Sequence, residues 1–509
     1  MRHLEDNLWE LPSIWSWASM GDVADIIGGG TPPTNDSNNF GDYVPWITPA
    51  DLSRHKGKTI LFGSRSISKQ GLDNSGARLL PKGTVLFSSR APIGYVVIAA
   101  QPLTTNQGFK SFLPKQGISS DFVYYWLTSA KRFADELASG TTFLELSGAK
   151  AALMPIPVAP IAEQTRIVAK LEELLSDLDA GVEELKAAQK KLAQYRQSLL
   201  KAAVEGALTA EWRKHNQPEE TGEQLLQRIL KERRARWEAK QLAKCKEQGK
   251  TPPKDWQAKY PEPVQPDDSN LPDLPEGWVW SSLGQCFHIA VGATPSRKNP
   301  NYWDGSVPWV SSGEVRFSRI THTRERISEQ GLNNSSTHVN PIGSVLLGMI
   351  GEGKTRGQVA ILDIEAANNQ NCAAIWVSET DIPSEYVYYW LWSRYEETRR
   401  GSSGNNQPAL NKSIVENIPL PLPPLIELIT IVEMIGASIT QIEYQEVSTA
   451  YSLKQSSAQR KNILKAAFSG QLVPQDPDDE PASVLLERIR AEREQAKSVV
   501  KRQGRRNEK

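Results

Sequence analysis

Residues Gly348–Thr355 read GMIGEGKT, a match to G-x-x-x-x-G-K-[ST]. In that pattern loop amides and a following helix N-terminus cradle phosphates, and the chain would be a nucleotide hydrolase. The chemistry needs a strand before the loop and a helix after it. Ser344–Ile350 suits the strand, but Thr355 is followed by Arg-Gly-Gln-Val-Ala-Ile-Leu-Asp, which reads as a second strand. Val359–Asp363 imitates the apolar run and Asp of a magnesium strand, yet lies too close to leave room for the intervening helix. The spacing predicts a hairpin: strand, Gly-rich loop, strand.

Other catalytic patterns are missing. There is no G-x-S-x-G elbow, no H-E-x-x-H, no Gly-rich S-adenosylmethionine loop and no Asp/Asn-Pro-Pro-Tyr tetrapeptide. The 6 histidines are scattered, and Cys245, Cys286 and Cys372 lie far apart without zinc spacing. They read as free thiols in a reducing compartment, and no metal site is expected. The sequence argues against an enzyme in its own right. Lys plus Arg equal Asp plus Glu at 59 each, so a nucleic-acid binder would have to rely on local patches. No run approaches the roughly 18 apolar residues of a membrane span. Residues 1–12 (MRHLEDNLWELP) lack the apolar core of a signal peptide. No membrane contact is expected, and the cytoplasm is the expected location.

The elements that must position any site are written twice. Trp15-Ser-Trp17 recurs as Trp278-Val-Trp280, Thr31-Pro32 as Thr294-Pro295, and Val44-Pro45-Trp46 as Val307-Pro308-Trp309. Asn106-Gln107 recurs as Asn369-Gln370, VYYWL at 123–127 returns at 387–391, Ser139-Gly140 as Ser403-Gly404, and LKAA at 200–203 returns at 464–467. A colinear series with one shift of about 260 residues is a duplicated domain, and two copies of a fold tend to sit about a pseudo-two-fold axis. Each copy runs from a Trp-rich opening through short β-like runs to a helix-like VYYWL and a Pro-rich close, an α+β domain.

After each Pro-rich close comes a helix. Ile167, Leu171, Leu174, Leu178, Gly181, Leu185, Ala188, Leu192, Tyr195 and Leu199 alternate gaps of four and three, a heptad seam. Ile161 to Ala203 would be roughly 60 Å long. The second copy offers a partner helix with a poorer seam, which includes Ile435 and Ile442. Ile439, Val447 and Tyr451 are further candidates. The two read as a long antiparallel two-helix coil holding two globular domains apart; the alternative is two separate surface helices. The boundaries are 1–160 for the first domain, 161–215 for its helix and 216–273 for a basic helix with a Pro-rich acidic linker. The second domain then spans 274–424, its helix 425–473 and a charged tail 474–509. The charge runs read as solvated helix faces, with docking of a partner subunit as the alternative.

The repeat tests the hairpin. SVLLGMIGEGKTRGQVAIL matches TVLFSSRAPIGYVVIAA, whose stretch up to the matching glycine (Gly94 against Gly357) is three residues shorter and carries no Lys-Thr. What suits both loops is a polar, basic tip: Ser88, Ser89 and Arg90 in one, Glu352, Lys354, Thr355 and Arg356 in the other. With Lys110 they are candidate DNA contacts, since Arg and Lys suit phosphates and guanine edges and Glu can accept from cytosine. Asn106, Gln107, Asn369 and Gln370 carry amides of the type that reads adenine. They equally suit a turn that satisfies its own backbone, and their survival in both copies favours the turn.

IPVAPIAEQTRIVAKLEELLSDLD and YRQSLLKAAVEGALTAEWR resemble the central conserved helix of type I restriction-modification specificity subunits. IPLPLPPLIELITIVEMI with QRKNILKAAFSGQLV resembles the distal helix, and the globular halves resemble the family's target recognition domains. The family's Pro-Leu-x-Glu-Gln turn survives as Pro160-Ile-Ala-Glu163-Gln164 but becomes Pro424-Leu-Ile-Glu427-Leu428 in the second copy. The resemblance implies a non-catalytic subunit that binds a split, asymmetric site on double-stranded DNA, with the helices fixing the spacing. It implies two modification subunits carrying S-adenosylmethionine for adenine N6 methylation, and restriction subunits using ATP and Mg; no cofactor would sit on this chain. A P-loop NTPase with a coiled-coil arm and a scaffold without DNA contact are the rival readings.

Overall fold

The computed structural model describes residues 8–90, 92–140, 144–351, 354–400 and 410–507. The chain divides into two compact units, 1–186 with 450–509, and 187–449. The boundary falls within both long helices, Ile161–Val204 and Leu425–Phe468.

In unit 1 a two-stranded sheet pairs β1 (Ser16–Ser19) with β10 (Pro155–Val158) antiparallel, Ser16 opposite Val158. A five-stranded sheet runs β2 (Ala24–Gly28), β9 (Lys110–Pro114), β6 (Val85–Ser89), β7 (Ile93–Ala99), β4 (Thr59–Ile60). A three-stranded sheet runs β5 (Arg65–Ile67), β3 (Phe40–Ile47), β8 (Thr104–Thr105). Unit 2 repeats all three. Here β11 (Val279–Ser282) pairs with β20 (Pro419–Leu422), and the five-stranded order is β12 (His288–Val291), β19 (Cys372–Trp376), β16 (Val345–Gly348), β17 (Val359–Leu362), β14 (Ser318–Ile320). The three-stranded order is β15 (Glu325–Ile327), β13 (Trp303–Val310), β18 (Ala367–Asn368). Even the bulge repeats, between Phe40 and Val44 in β3 and between Trp303 and Val307 in β13.

The VYYWL segments are helices, Ser120–Ser129 and Ser384–Ser393, whose apolar rings cover the five-stranded sheets. Their tryptophans bind the closing strand: Trp126 Nε1 donates to the Pro155 carbonyl and Trp390 Nε1 to that of Pro419, both at 2.8 Å. The prolines of these strands have carbonyls but no N–H groups, so an indole donor is a fitting partner.

Within each unit the long-helix segments run antiparallel, because rising numbers on one meet falling numbers on the other. In unit 1 Arg166 pairs with Asp479 at 2.7 Å, and Asp179 with Arg460. In unit 2 Arg196 pairs with Glu446 at 2.6 Å, and Thr209 donates to Glu427 at 2.6 Å. Ile167, Leu171, Leu199, Ile435 and Ile442 are buried. Leu174, Leu178, Leu185 and Leu192 are only half-buried, and Leu175, absent from the heptad reading, joins the unit 1 core. Tyr195, Val447 and Tyr451 are exposed. Spacing alone places them on the seam, but the second helix carries Ser438, Thr449 and Ser456 at seam positions, which offer little apolar surface to cover.

The second long helix also amends the reading of membrane spans. It contains an 18-residue window long and apolar enough to cross a membrane by length and composition, 33% of it buried. Its apolar side chains have a use here: Leu428, Ile431, Ile435, Ile439 and Ile442 lie in the unit 2 core.

Each long helix is anchored at its start by a buried glutamate. Glu163 accepts from Trp15 Nε1 at 2.8 Å and from Gln475 at 2.6 Å. Glu427 accepts from Trp278 Nε1 at 2.9 Å, from Thr209, and from Arg213. The departure from the family turn has a local cause. Gln164 Oε1 accepts the Ser119 N–H at 3.0 Å, and its amide donates to the Ala159 carbonyl. In the second copy Ser119 is matched by Pro383, which has no N–H to satisfy. The amide becomes dispensable, and Leu428 packs into the core instead.

The basic helix Gly222–Glu247 buries Leu225, Leu226 and Ile229 in unit 2, and Ala482–Asn507 buries Leu485, Leu486 and Ile489 in unit 1. The linker folds back onto the first of these: Trp256 stacks on Trp237 with centroids 5.9 Å apart, and Tyr260 meets Trp237 edge-on.

Candidate nucleic-acid interface

The loop at Gly348–Thr355 is a hairpin connection. β16 and β17 pair antiparallel, Leu347 opposite Val359, and the loop closes through Gly348 N–H to the Gln358 carbonyl and Gly357 N–H to the Gly348 carbonyl, both 2.8 Å. β17 follows where a phosphate-binding loop needs a helix. Gly357 has φ of 82° and Gly94, its counterpart, 105°, the left-handed region that a side chain disfavours.

Three segments meet at one end of each domain's sheets. The first is the Thr-Pro loop, the second the Asn-Gln turn and the third the hairpin tip. In unit 1 Trp46 Nε1 donates to the Gly30 carbonyl at 2.9 Å, and Gly30 N–H donates to that of Thr105 at 2.9 Å. Thr31 Oγ1 donates to Gln107 Oε1. Ser89 N–H donates to the Gly108 carbonyl at 2.7 Å, seating the hairpin on the turn. In unit 2 Trp309 Nε1 donates to Ala293 at 3.1 Å, Thr294 Oγ1 to Gln370 Oε1 at 2.6 Å, and Met349 N–H to Asn371 at 2.8 Å. A Cβ on Gly29 would sit 1.9 Å from the Asn106 carbonyl oxygen, and one on Gly292 1.8 Å from that of Asn368. Gly292→Ala is therefore expected to displace the Thr-Pro loop and cost about 1–3 kcal/mol, read as a lowered denaturation midpoint.

This shell sorts the candidate residues. Asn106 Oδ1 accepts the Gly108 N–H at 2.9 Å, and Asn369 Oδ1 the Asn371 N–H at 3.2 Å, so both amides close their own turn. Gln107 and Gln370 are exposed; each spends Oε1 on its threonine, and neither Nε2 has a partner among the described residues. Ser88 and Ser89 are fully buried. Ser88 Oγ donates to the Pro92 carbonyl at 2.7 Å, and Ser89 Oγ to that of Gly108 at 3.1 Å. These hydroxyls hold the hairpin rather than form its surface, a correction: the alternation of a strand buried on both faces cannot be told from an exposed tip by residue type. Arg90 and Lys110 share Glu145, at 3.4 and 3.7 Å. Arg356 turns inward, donating to the Arg399 carbonyl at 3.3 Å. Thr355 is half-buried, and Lys354 is exposed with no partner for its ammonium among the described residues. Glu352 lies outside the described residues.

The residues just beyond the Thr-Pro loop carry no site signature in the sequence. Arg297 lies 3.7 Å over the Trp303 ring and pairs with Glu325; the first copy has Thr34 in its place, and the cation over the matching Phe40 ring comes from Arg65 of the neighbouring strand, at 3.8 Å. The buried amide network, in which Trp376 Nε1 donates to Asn340 at 2.9 Å and Asn340 to Asn368 at 2.8 Å, has no motif in the sequence either. Only the match of Trp46 with Trp309 and of Thr31 with Thr294 could have signalled the shell, since its bonds join residues up to 76 apart.

The cysteines offer no chemistry at this end. Burial pushes the Cys286 thiol up to about 11 and that of Cys372 up to about 12, so both stay protonated at neutral pH. Among the described residues no group of three His, Cys, Asp or Glu could hold a metal ion.

Residues 12–187 and 275–448 match the family described as the type I restriction modification DNA specificity domain. The chain is 25% identical over 422 residues to the type I restriction enzyme MjaIX specificity subunit of Methanocaldococcus jannaschii, covering 82% of this chain and 85% of that one. It is 24% identical to the EcoBI specificity subunit of Escherichia coli, covering 96% and 95%. Its fold is shared with a chain from a solved type I restriction-modification system, at 19% identity and a TM-score of 0.63 over 91% of this chain and all of that one. The HsdS subunit of Thermoanaerobacter tengcongensis gives 18% identity and a TM-score of 0.50 over 92% of this chain and 99% of that one. With two matched segments that together span most of its length, each built on the same sheets and the same loop shell, the chain belongs to the type I restriction-modification DNA specificity family.

Proposed function

We propose that the chain is the subunit that gives a type I restriction-modification assembly its DNA address. One recognition domain takes each half of a split, asymmetric site on double-stranded DNA, and the two long helices set the length of the unread middle. The observation that carries this is the pairing of one shell with two sets of tips. Trp46, Thr31 and Gln107 repeat as Trp309, Thr294 and Gln370, whereas the tips differ, with Arg90 and Thr34 in the first domain and Lys354 and Arg297 in the second. Residues common to both domains cannot encode two different half-sites. They suit the sequence-independent part of binding, and the differing tips suit base reading. Gln107→Ala is then expected to weaken binding about equally on all sequences, and Arg297→Ala to relax selectivity in one half-site, checked by DNA retention against a randomised duplex pool. Arg297→Ala weakening every sequence equally would count against the assignment.

In this reading two modification subunits carry S-adenosylmethionine and flip an adenine for N6 methylation. Restriction subunits supply ATP- and Mg-dependent cleavage, the chain itself performs no catalysis, and the assembly works in the cytoplasm. The hairpin geometry at Gly348–Thr355 weighs against the nucleotide-hydrolase alternative. The purified chain is expected to show no ATP binding that depends on Lys354; binding lost in Lys354→Ala would contradict this.

A further inference from the structure

The two copies differ at a half-buried place in a way that leaves a vacancy. The opening segments align as Leu8-Trp-Glu-Leu-Pro12 and Leu271-Pro-Asp-Leu-Pro275, so Trp9 is matched by Pro272. The backbone is held alike: Trp17 Nε1 donates to the Trp9 carbonyl and Trp280 Nε1 to that of Pro272, both at 3.1 Å. In unit 1 the Trp9 indole packs edge-on against Trp17 and Trp126, with centroids 5.1 and 6.0 Å away, and its Nε1 donates to the Phe468 carbonyl at 3.0 Å.

In unit 2 the equivalent place is a cavity of about 480 Å³, walled by Trp280 and Trp390. Phe468 is replaced there by the smaller Val204, at the end of the first long helix, and Phe133 by Glu397. Val204 holds the position at its helix end that Phe468, whose carbonyl accepts the Trp9 indole, holds in the other copy. The rim is short of positive charge. Glu205 pairs with Lys201 at 3.7 Å and Glu397 with Arg394 at 3.1 Å, while Asp273 has no cation partner among the described residues. A volume of roughly 300–1,000 Å³ suits insertion of a compact group, and paired tryptophan walls suit an aromatic ring.

We propose that this cavity is a socket for a tryptophan side chain next to a basic residue, presented by the modification subunit; the choice of that partner rests on the function proposed above. Its ring takes the place that Trp9 fills in the other copy, its N–H meets the Val204 carbonyl, and the neighbouring cation meets Asp273. The arrangement makes the two recognition domains unlike as docking surfaces, one plugged by its own chain and one open.

Saturation-transfer NMR with N-acetyltryptophanamide on the full chain tests the socket, and titration of the purified modification subunit tests its occupant. Wild type is expected to show transfer to the probe ring, and Pro272→Trp, which installs the first copy's plug, to lose it. The same variant is expected to weaken modification-subunit binding tenfold or more, as loss of a central aromatic anchor does. Glu397→Phe fills the cavity from the opposite wall and repeats both measurements should Pro272→Trp fold poorly. No transfer in wild type, equal transfer in both proteins, or undiminished subunit binding by the filled variants would overturn the proposal. A wild type that binds no modification subunit overturns the proposed function along with it. That outcome is distinguishable from failure of the socket alone, where wild type and filled variants bind alike.

Discussion

Replacing residues 274–421 with the equivalent segment of another family member is expected to change one half of the DNA target and leave the other half and the spacing as they were. The segment carries all three sheets of unit 2 apart from the last residue of β20, Leu422, which the junction retains. The graft must still present a tryptophan at 278 to the Glu427 carboxylate and a strand that pairs with Leu422. Both are features of the duplicated frame rather than of the tips, so the foreign segment can supply them. A mismatched base pair costs about 1–3 kcal/mol, so a half-site of several pairs shifts preference by orders of magnitude. Mapping methylated adenines in cells expressing the graft with its partner subunits checks it. A change in both halves would mean that the domains do not read separately.

Glu427→Ala is expected to destabilise unit 2 by about 3–5 kcal/mol, the usual cost of removing one partner from a buried ion pair. Glu427 is fully buried, and its carboxylate receives Trp278 Nε1, Thr209 Oγ1 and the Arg213 guanidinium at once. Truncation leaves Trp278 Nε1 and Thr209 Oγ1 without their acceptor and takes the charge partner from Arg213, which keeps only the Gly206 carbonyl and the Thr209 hydroxyl. These bonds join the opening strand, the loop after the first long helix and the start of the second, so their loss reaches three parts of the unit. At about 2–4 °C per kcal/mol for a body of this size, the unfolding midpoint should fall on the order of 10 °C. Leu428→Gln, which restores the family residue, is expected to destabilise as well, because Pro383 offers no N–H to the new amide and the core loses an apolar side chain. Thermal unfolding monitored by circular dichroism reads both. An unchanged midpoint in Glu427→Ala would show that the carboxylate is dispensable.

The duplication was legible because a repeat is a property of residue order alone, and the paired Trp, Thr-Pro and Asn-Gln signatures sit in the same frame twice. The hairpin nature of Gly348–Thr355 was legible for the same reason, through its shorter twin. The exposure of part of the helix seam was not. A heptad pattern says which face a helix would bury, but Tyr195, Val447 and Tyr451 stay exposed. Ser88 and Ser89 look like a polar tip and prove to be buried hydroxyls, because their acceptors, Pro92 and Gly108, become neighbours only once the hairpin is seated on the Asn-Gln turn. The exchange of Gln164 for Leu428 made sense only when Ser119 and Pro383 were seen to occupy the same position. Such compensations join residues tens of positions apart and leave no periodic trace.

The central claim is that two unlike tips on one repeated frame read two unlike half-sites. Mapping every methylated adenine in DNA from cells expressing the unaltered chain with its modification subunits tests it most directly. The expected result is one asymmetric motif in two defined halves, separated by a gap of fixed length in which any base occurs. A contiguous motif, two identical halves, or methylation without sequence preference would contradict it.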